Sequence, residues 1–317
     1  MPALPPVTDP EALVDRKAST PAAAPERARM KPTRHDLDTH DGPPLAVYRY
    51  EPAQAPRAGV VIAPAMAAPQ SFYADFAAFL ARQGFRVWTF DYAGTGESWQ
   101  GSMRHCTANL TDWIMRDYDA VVRHAGDTLD GAPLFALGHS LGGQATPLLP
   151  SRDRLSGLVN IAVGSGAPRH NRPNVRLRAP FLWYVLVGLC PLFGYFPGSR
   201  IGLLGDIPRR AFYQWRRWCL TPEYILSGEP GAREAYAGAR YPVLGLTFTD
   251  DELLHESGSR LLHGAYAAAP VDYRELSPQQ YGLPRIGHFG FFRCNQEEVL
   301  WPLVSDWLHA NSPAASV

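Results

Sequence analysis

Pro133-Leu-Phe-Ala-Leu-Gly-His-Ser140-Leu-Gly-Gly-Gln-Ala-Thr-Pro-Leu-Leu149 decides the reading of this chain. An apolar run, a turn of residues with little or no side chain, and a helix-compatible stretch follow one another, with one serine at the apex. This is the G-x-S-x-G elbow pattern. Gly138 and Gly142 flank Ser140 because so sharp a turn leaves no room for a β-carbon at either place. Ser140 is therefore expected to stand out of the chain with its hydroxyl exposed. A helix starting beside it points free N–H groups and a positive dipole end at any negative charge that forms there.

A serine hydroxyl is a poor nucleophile unless a histidine takes its proton and a carboxylate orients that histidine, here in the order Ser, Asp or Glu, His. Pro242-Val-Leu-Gly-Leu-Thr-Phe-Thr249 reads as a buried strand ending in Asp250-Asp251-Glu252, at the strand tip where an open α/β sheet places site residues. Asp251 is preferred to Asp250 because the first residue past a strand tends to stay in the pleat. Gly287-His288-Phe289-Gly290 then supplies a loop histidine in the right order. His139 is too close to the serine to swing onto it, His255 and His263 lie in a stretch that reads as helix, and the remaining histidines follow no carboxylate-tipped strand. The expected catalytic set is Ser140, Asp251 and His288.

With those residues in view, the chain resembles an α/β-hydrolase from about residue 35 to about 310. The resemblance includes Phe85-Arg-Val-Trp-Thr-Phe-Asp91-Tyr-Ala-Gly94-Thr-Gly96-Glu-Ser98. Ala63-Pro-Ala-Met66, Gln70-Ser-Phe-Tyr73, Asp112-Trp113 and Gly287-His-Phe-Gly-Phe-Phe-Arg293 are similar to a capped bacterial subgroup of serine hydrolases, a likeness that implies no substrate. Most members of the superfamily carry His-Gly after the third strand, where this chain has Pro64-Ala65 and then Met66. Because the oxyanion donor is a backbone N–H, the side chain is free to vary, and the resemblance implies Met66 and Leu141 as the two donors.

The surrounding pattern alternates strands and helices, which implies a mostly parallel sheet with helices on both faces. Strands are expected near 35–50, 59–63, 85–90, 133–138, 157–163, 243–248 and 270–275. Helices are expected from Ser71 to Gly84, from Thr111 to about Ala125, and from near Asn295. The first two present Phe72, Phe76, Phe79 and Leu80, and Ile114, Tyr118, Val121 and Val122, to the core. About 80 residues separate the strands ending near Val163 and beginning at Val243, where a crossover needs roughly a dozen. This interval reads as an inserted helical cap with a helix holding Phe212, Trp215 and Trp218. Trp183, Leu186 and Trp215 are its candidate substrate-binding residues, since an apolar roof binds an acyl or alkyl group and excludes water. The domain reading is a disordered extension over 1–30, an α/β core over 31–164 and 240–311, a cap over 165–239 and a tail over 312–317.

Composition bounds the alternatives. In 317 residues, 46% are apolar, and Lys plus Arg (30) balance Asp plus Glu (30). Zero net charge argues against nucleic acid or an anionic membrane surface as the main partner. The apolar run over 181–197 is broken by Gly188, Pro191 and Gly194 and is shorter than the roughly 20 residues that span a bilayer, so no membrane span is expected. Cys106, Cys190, Cys219 and Cys294 are scattered without metal-ligand spacing and read as reduced thiols of a cytoplasmic protein, and the N-terminal residues lack the apolar core of a signal peptide. Gly94-Thr-Gly96 lacks the third glycine of a dinucleotide fingerprint, so neither cofactor nor metal is expected. Asp112, Trp113 and Asp117 read as helix capping and packing, and Arg216-Arg217 as a solvated helix face. The expected activity is hydrolysis of carboxylic esters with apolar acyl or alkyl groups. Acyl transfer, thioester or amide cleavage with the same triad, and a non-catalytic binding module on the same fold, remain the alternatives. Oligomeric state is left open.

Overall fold

The computed structural model describes residues 30–203 and 205–312. The disordered extension and tail read from the sequence fall almost wholly outside the described residues. One sheet organises the rest: β1 (Thr33–Leu37), β2 (Leu45–Tyr50), β3 (Ala58–Ala63), β4 (Phe85–Phe90), β5 (Leu134–His139), β6 (Gly157–Ile161), β7 (Val243–Phe248) and β8 (Val271–Leu276). Their spatial order is β1-β2-β4-β3-β5-β6-β7-β8. β2 runs antiparallel to β1 and β4, and the other pairings are parallel. β3, β5, β6 and β7 are apolar at nearly every position, as strands covered on both faces must be.

Register brings the strand tips together. Ala63 pairs with Gly138, His139 with Ile161, and Ile161 with Leu246, so the loops after β3, β5 and β7 leave one edge of the sheet as neighbours. Helices cover both faces. On one side Phe76 and Phe79 pack against Trp301 with ring centroids 5.2 and 5.3 Å apart. On the other, Trp113, Tyr118, Val121 and Val122 are buried. The helix expected from Ser71 opens as a 3₁₀ turn (Gln70–Tyr73) before the α-helix Ala74–Arg82, and Gly84 follows at φ 92°. The next one starts at an Asn109–Asp112 capping box, passes through a wide π turn (Trp113–Tyr118) and continues as Asp119–Asp127. In that turn the Trp113 indole donates to the Ala93 carbonyl and the Ala93 N–H donates to Asp117, each at 2.8 Å.

Two expectations about helix bounds are corrected. The last α-helix is Trp301–Ala310, and at Asn295 there is only a 3₁₀ turn, Cys294–Gln296. Pro302 is the reason: a helix begun at 295 would carry it in the interior, where it has no N–H to give, whereas the first turn tolerates it. The apolar run read over 181–197 is divided: residues 181–193 belong to a longer helical stretch that begins at Pro173 and ends at Phe193, and Tyr195–Phe196 form a short strand.

The glycine turn after β4 is filled by a side chain of its own. It wraps Asp91, whose carboxylate accepts from the N–H groups of Gln70 (2.7 Å) and Glu97 (2.9 Å). A β-carbon on Gly96 would sit 2.1 Å from that carboxylate. Burial pushes the Asp91 pKa up to about 6.

Between β6 and β7 the chain leaves the sheet and forms a layer of short helices, chiefly Pro173–Phe193, Arg209–Cys219 and Ala232–Gly238. Phe196 stacks on Phe212 at 4.0 Å, and Trp183 stands edge-on to Trp215 at 4.9 Å. Arg216 is not a solvated residue: it donates to the Trp183 carbonyl at 2.6 Å, and Arg217 pairs with Glu229 at 2.7 Å.

Trp301 is fully buried and its indole donates to the Phe291 carbonyl at 2.7 Å. Trp301→Ala should therefore lower stability by about 3–5 kcal/mol, read as a drop in the denaturant midpoint with an unchanged slope. A loss under about 1 kcal/mol would mean that this side of the sheet is packed otherwise.

Candidate active site

Ser140 occupies the turn between β5 and the helix Leu141–Ala145, at φ 51° and ψ −113°. A side chain in that region is strained and persists only where its surroundings enforce it. Here they do: a β-carbon on Gly138 would lie 2.1 Å from the Gly143 nitrogen, and one on Gly142 would lie 2.2 Å from the Ala63 carbonyl oxygen. The second contact also seats the helix after Ser140 against the end of β3, beside the loop that carries Met66. Leu141 is the first residue of that helix, so its N–H has no intrahelical acceptor.

Past β7, three consecutive carboxylates divide one task. Asp250 accepts from the N–H groups of Ile286 (2.9 Å) and Gly287 (3.1 Å). Asp251 accepts from His288 Nδ1 at 2.8 Å through one oxygen, while its other oxygen accepts from the N–H groups of Leu253 (2.8 Å) and Leu254 (2.9 Å). Glu252 accepts from the His288 N–H at 3.0 Å and pairs with Arg285 at 3.1 Å. The Asp251 bond fixes the tautomer, leaving Nε2 as the free basic nitrogen of an imidazole whose backbone the other two carboxylates hold. Arg172, at the entrance to the insert, donates to the backbone carbonyls of Asp251 (2.9 Å) and Thr249.

A second set of bonds ties the serine and histidine loops together. His139 Nε2 lies 3.0 Å from the His288 carbonyl oxygen, which can only accept, so that nitrogen carries the proton. Burial, with His288 nearby, holds the His139 pKa well below its ordinary value, and the ring is neutral. Its Nδ1 therefore accepts from Tyr73 Oη at 2.8 Å, and Tyr73 Oη in turn accepts from the Ala65 N–H at 2.9 Å. The chain of bonds joins the residue before Met66, the residue before Ser140 and the backbone of His288.

A family model described as serine aminopeptidase, S33, matches residues 54–186. A soluble variant of monoglyceride lipase from Saccharomyces cerevisiae superposes with a TM-score of 0.65 at 16% identity, covering 92% of this chain and 100% of that one. An esterase of Pyrococcus furiosus gives 0.61 at 13% identity over 97% and 99%. Monoacylglycerol lipase from Paleococcus ferrophilus gives 0.51 at 17% identity over 84% and 99%. No curated protein matches the chain. The chain has the α/β-hydrolase fold.

Within this fold, the sequence-derived residues are spread unevenly about the elbow. Met66 and Leu141 are buried where the loop after β3 meets the elbow helix. In the insert, Trp183 is enclosed by Phe212 and Trp215, while Leu186 is half-buried. Trp215 donates its indole N–H to Tyr224 Oη at 3.2 Å, and Tyr224 Oη donates to Gln144 Oε1 at 3.0 Å, so this residue connects to the elbow helix. Sequence reasoning missed Asp250, Glu252, Arg172, Tyr73 and the bonding of His139. For the first two the signal was present, since an acid triplet at a strand tip offers more acceptors than one imidazole can use.

Burial is the largest influence on His288 and opposes its charge, but the Asp251 carboxylate beside it, aided by Glu252, outweighs burial and raises the pKa above 6.5. Asp251 is likewise pushed up by burial, yet the imidazolium and two backbone N–H groups leave it below 3.8. The pair stabilises its charged form. In the wild-type protein the His288 ring, followed by NMR, should titrate above pH 6.5. In Asp251→Asn the favourable charge is gone while burial stays, so the midpoint should move below 6.5, and Asp250→Asn should leave it nearly in place. A His288 midpoint indifferent to Asp251→Asn would refute the pairing.

Proposed function

We propose that the protein is a serine hydrolase that cleaves carboxylic esters of apolar acyl or alkyl groups through an acyl-enzyme on Ser140. The observation that carries this reading is the Asp251–His288 pair, 2.8 Å apart and buried, on the sheet edge where the strained elbow presents Ser140. Likeness to chains named monoglyceride lipase and esterase supports ester chemistry on this fold.

The steps follow from the groups. Ser140 Oγ attacks the ester carbonyl carbon as its proton passes to His288 Nε2. The imidazolium so formed is balanced by Asp251, which stays ionised. The carbonyl oxygen becomes an oxyanion between the N–H groups of Leu141 and Met66. With the Ala65 N–H engaged by Tyr73, the next N–H along, that of Met66, takes the second donor role. Collapse of the intermediate breaks the bond to the alcohol oxygen, which leaves with the proton from Nε2. Water then repeats the sequence on the acyl-enzyme and releases the acid.

The insert supplies the apolar side of the site. Leu186 and Trp215 line it in this reading, and Trp183 supports Trp215 from behind. Tyr224 and Tyr236 hold the layer in place by donating to Gln144, at 3.0 and 2.9 Å.

Ester turnover tests the assignment. Ser140→Ala should fold normally and lose turnover by several orders of magnitude. Asp251→Asn should cost roughly 10⁴-fold in kcat, and Asp250→Asn far less, because Asp250 holds backbone and not the ring. The reverse order for the two aspartates would contradict these roles.

Chain-length preference tests the roof. Each methylene buried by the insert is worth about 0.8 kcal/mol, or about fourfold in kcat/KM. Specificity should climb from acetyl to medium-length esters, and Leu186→Ala should flatten that climb while sparing the acetyl ester. A flat wild-type profile would place the acyl pocket elsewhere.

A further inference from the structure

The helical stretch Pro173–Phe193 carries a surface that nothing in the catalytic reading uses. It has 21 residues, is long and apolar enough to cross a membrane, and only 17% of its most apolar window is buried. Leu177 is 83% exposed, Phe181 57%, Tyr184 65%, Val185 57% and Leu192 69%. Four of these, at 177, 181, 184 and 185, follow the spacing of one helix face. Leaving so many large apolar side chains in water is costly, and a contiguous patch of this kind marks a contact surface.

Charge identifies the occupant. Residues 167–219 contain nine arginines and a single carboxylate, Asp206, a surplus of eight positive charges in a chain whose net charge is zero. Arg176 and Arg178 are exposed on either side of Leu177, each about 100° round the helix from it. Arg216 stands over the Tyr184 ring at 5.3 Å and Arg200 over the Phe193 ring at 5.5 Å. Arg209 and Arg210 are exposed at the start of the helix Arg209–Cys219. An apolar stripe flanked by arginines is the pattern of a helix lying in the interface of an anionic bilayer, apolar face down and guanidinium groups among the headgroups.

We propose that the insert docks on the surface of an anionic lipid bilayer through Leu177, Phe181, Tyr184 and Val185, with the flanking arginines on the lipid phosphates. Crossing the bilayer is a poorer fit. Ala179, Trp183 and Cys190 of the same stretch are buried against the rest of the insert, so spanning would require that layer to be torn open. Docking leaves it intact, and it sets the layer above the elbow against the phase in which apolar molecules collect. The proposal does not depend on the ester reading.

Cosedimentation of the full chain with vesicles tests it directly, using phosphatidylcholine alone and phosphatidylcholine mixed with phosphatidylglycerol. Binding is expected to the mixed vesicles and to weaken strongly on neutral ones. It should also weaken as salt rises from 0.1 to 1 M and the screening length falls from about 10 to about 3 Å. Arg176→Gln and Arg178→Gln should each lower the partition coefficient by about fivefold. The double variant Leu177→Gln, Val185→Gln should lower it by at least about tenfold. All of these positions are exposed, so an unchanged melting temperature serves as the control for folding. Absence of binding to mixed vesicles would overturn the proposal, as would equal binding to neutral ones. Binding that resists salt and alkaline extraction would mean insertion across the bilayer and would also overturn it. So would a stable dimer in light scattering that Leu177→Gln, Val185→Gln dissociates, because the face would then belong to a second copy.

Discussion

Everything at this site depends on the missing side chains around Ser140. The backbone there is held at φ 51° and ψ −113°, a conformation that costs on the order of 1–3 kcal/mol and has to be imposed from outside. The imposition comes from the approach of Gly138 to Gly143 and of Gly142 to the Ala63 carbonyl, each too close for a β-carbon. Those contacts fix the elbow helix against the ends of β3 and β5. The same contact that strains the serine therefore sets Leu141 beside the Met66 loop, so one constraint positions Ser140 and the two N–H groups proposed as oxyanion donors.

The histidine is positioned by a different device. A loop between β8 and the last helix has no regular ladder to hold it, and the acid triplet past β7 substitutes for one: Asp250 and Glu252 take the backbone N–H groups of residues 286–288 while Asp251 takes the ring. His139 closes the arrangement by donating to the His288 carbonyl, and Tyr73 holds His139 in turn by donating to its other ring nitrogen. Tyr73, His139, Asp251 and His288 are buried, so removing one of these strands its partner, which is the costly case for a hydrogen bond.

Much of this was legible in the sequence because the decisive signals are local. The elbow is six consecutive residues, the sheet follows from strand and helix alternation, and the acid and base stand at a strand tip and in a glycine-bounded loop. The acid triplet signalled that Asp250 and Glu252 have work beyond one imidazole, but their partners and that of His139 were not legible, because they are backbone atoms 36, 37 or 149 residues away and backbone groups leave no trace in side-chain patterns. The last helix begins six residues later than expected, since Pro302 is tolerated only in its first turn. Net charge misled in a different way: a sum of zero hides the gathering of nine arginines and one carboxylate into residues 167–219.

One measurement bears most directly on the account: reaction of the folded protein with a fluorophosphonate, followed by peptide mass spectrometry to locate the adduct. A serine activated by the elbow and by His288 should give a single adduct on Ser140, formed at a rate that falls as pH drops below the raised His288 pKa. An adduct on any other serine, or no adduct on a protein shown to be folded, would contradict the account.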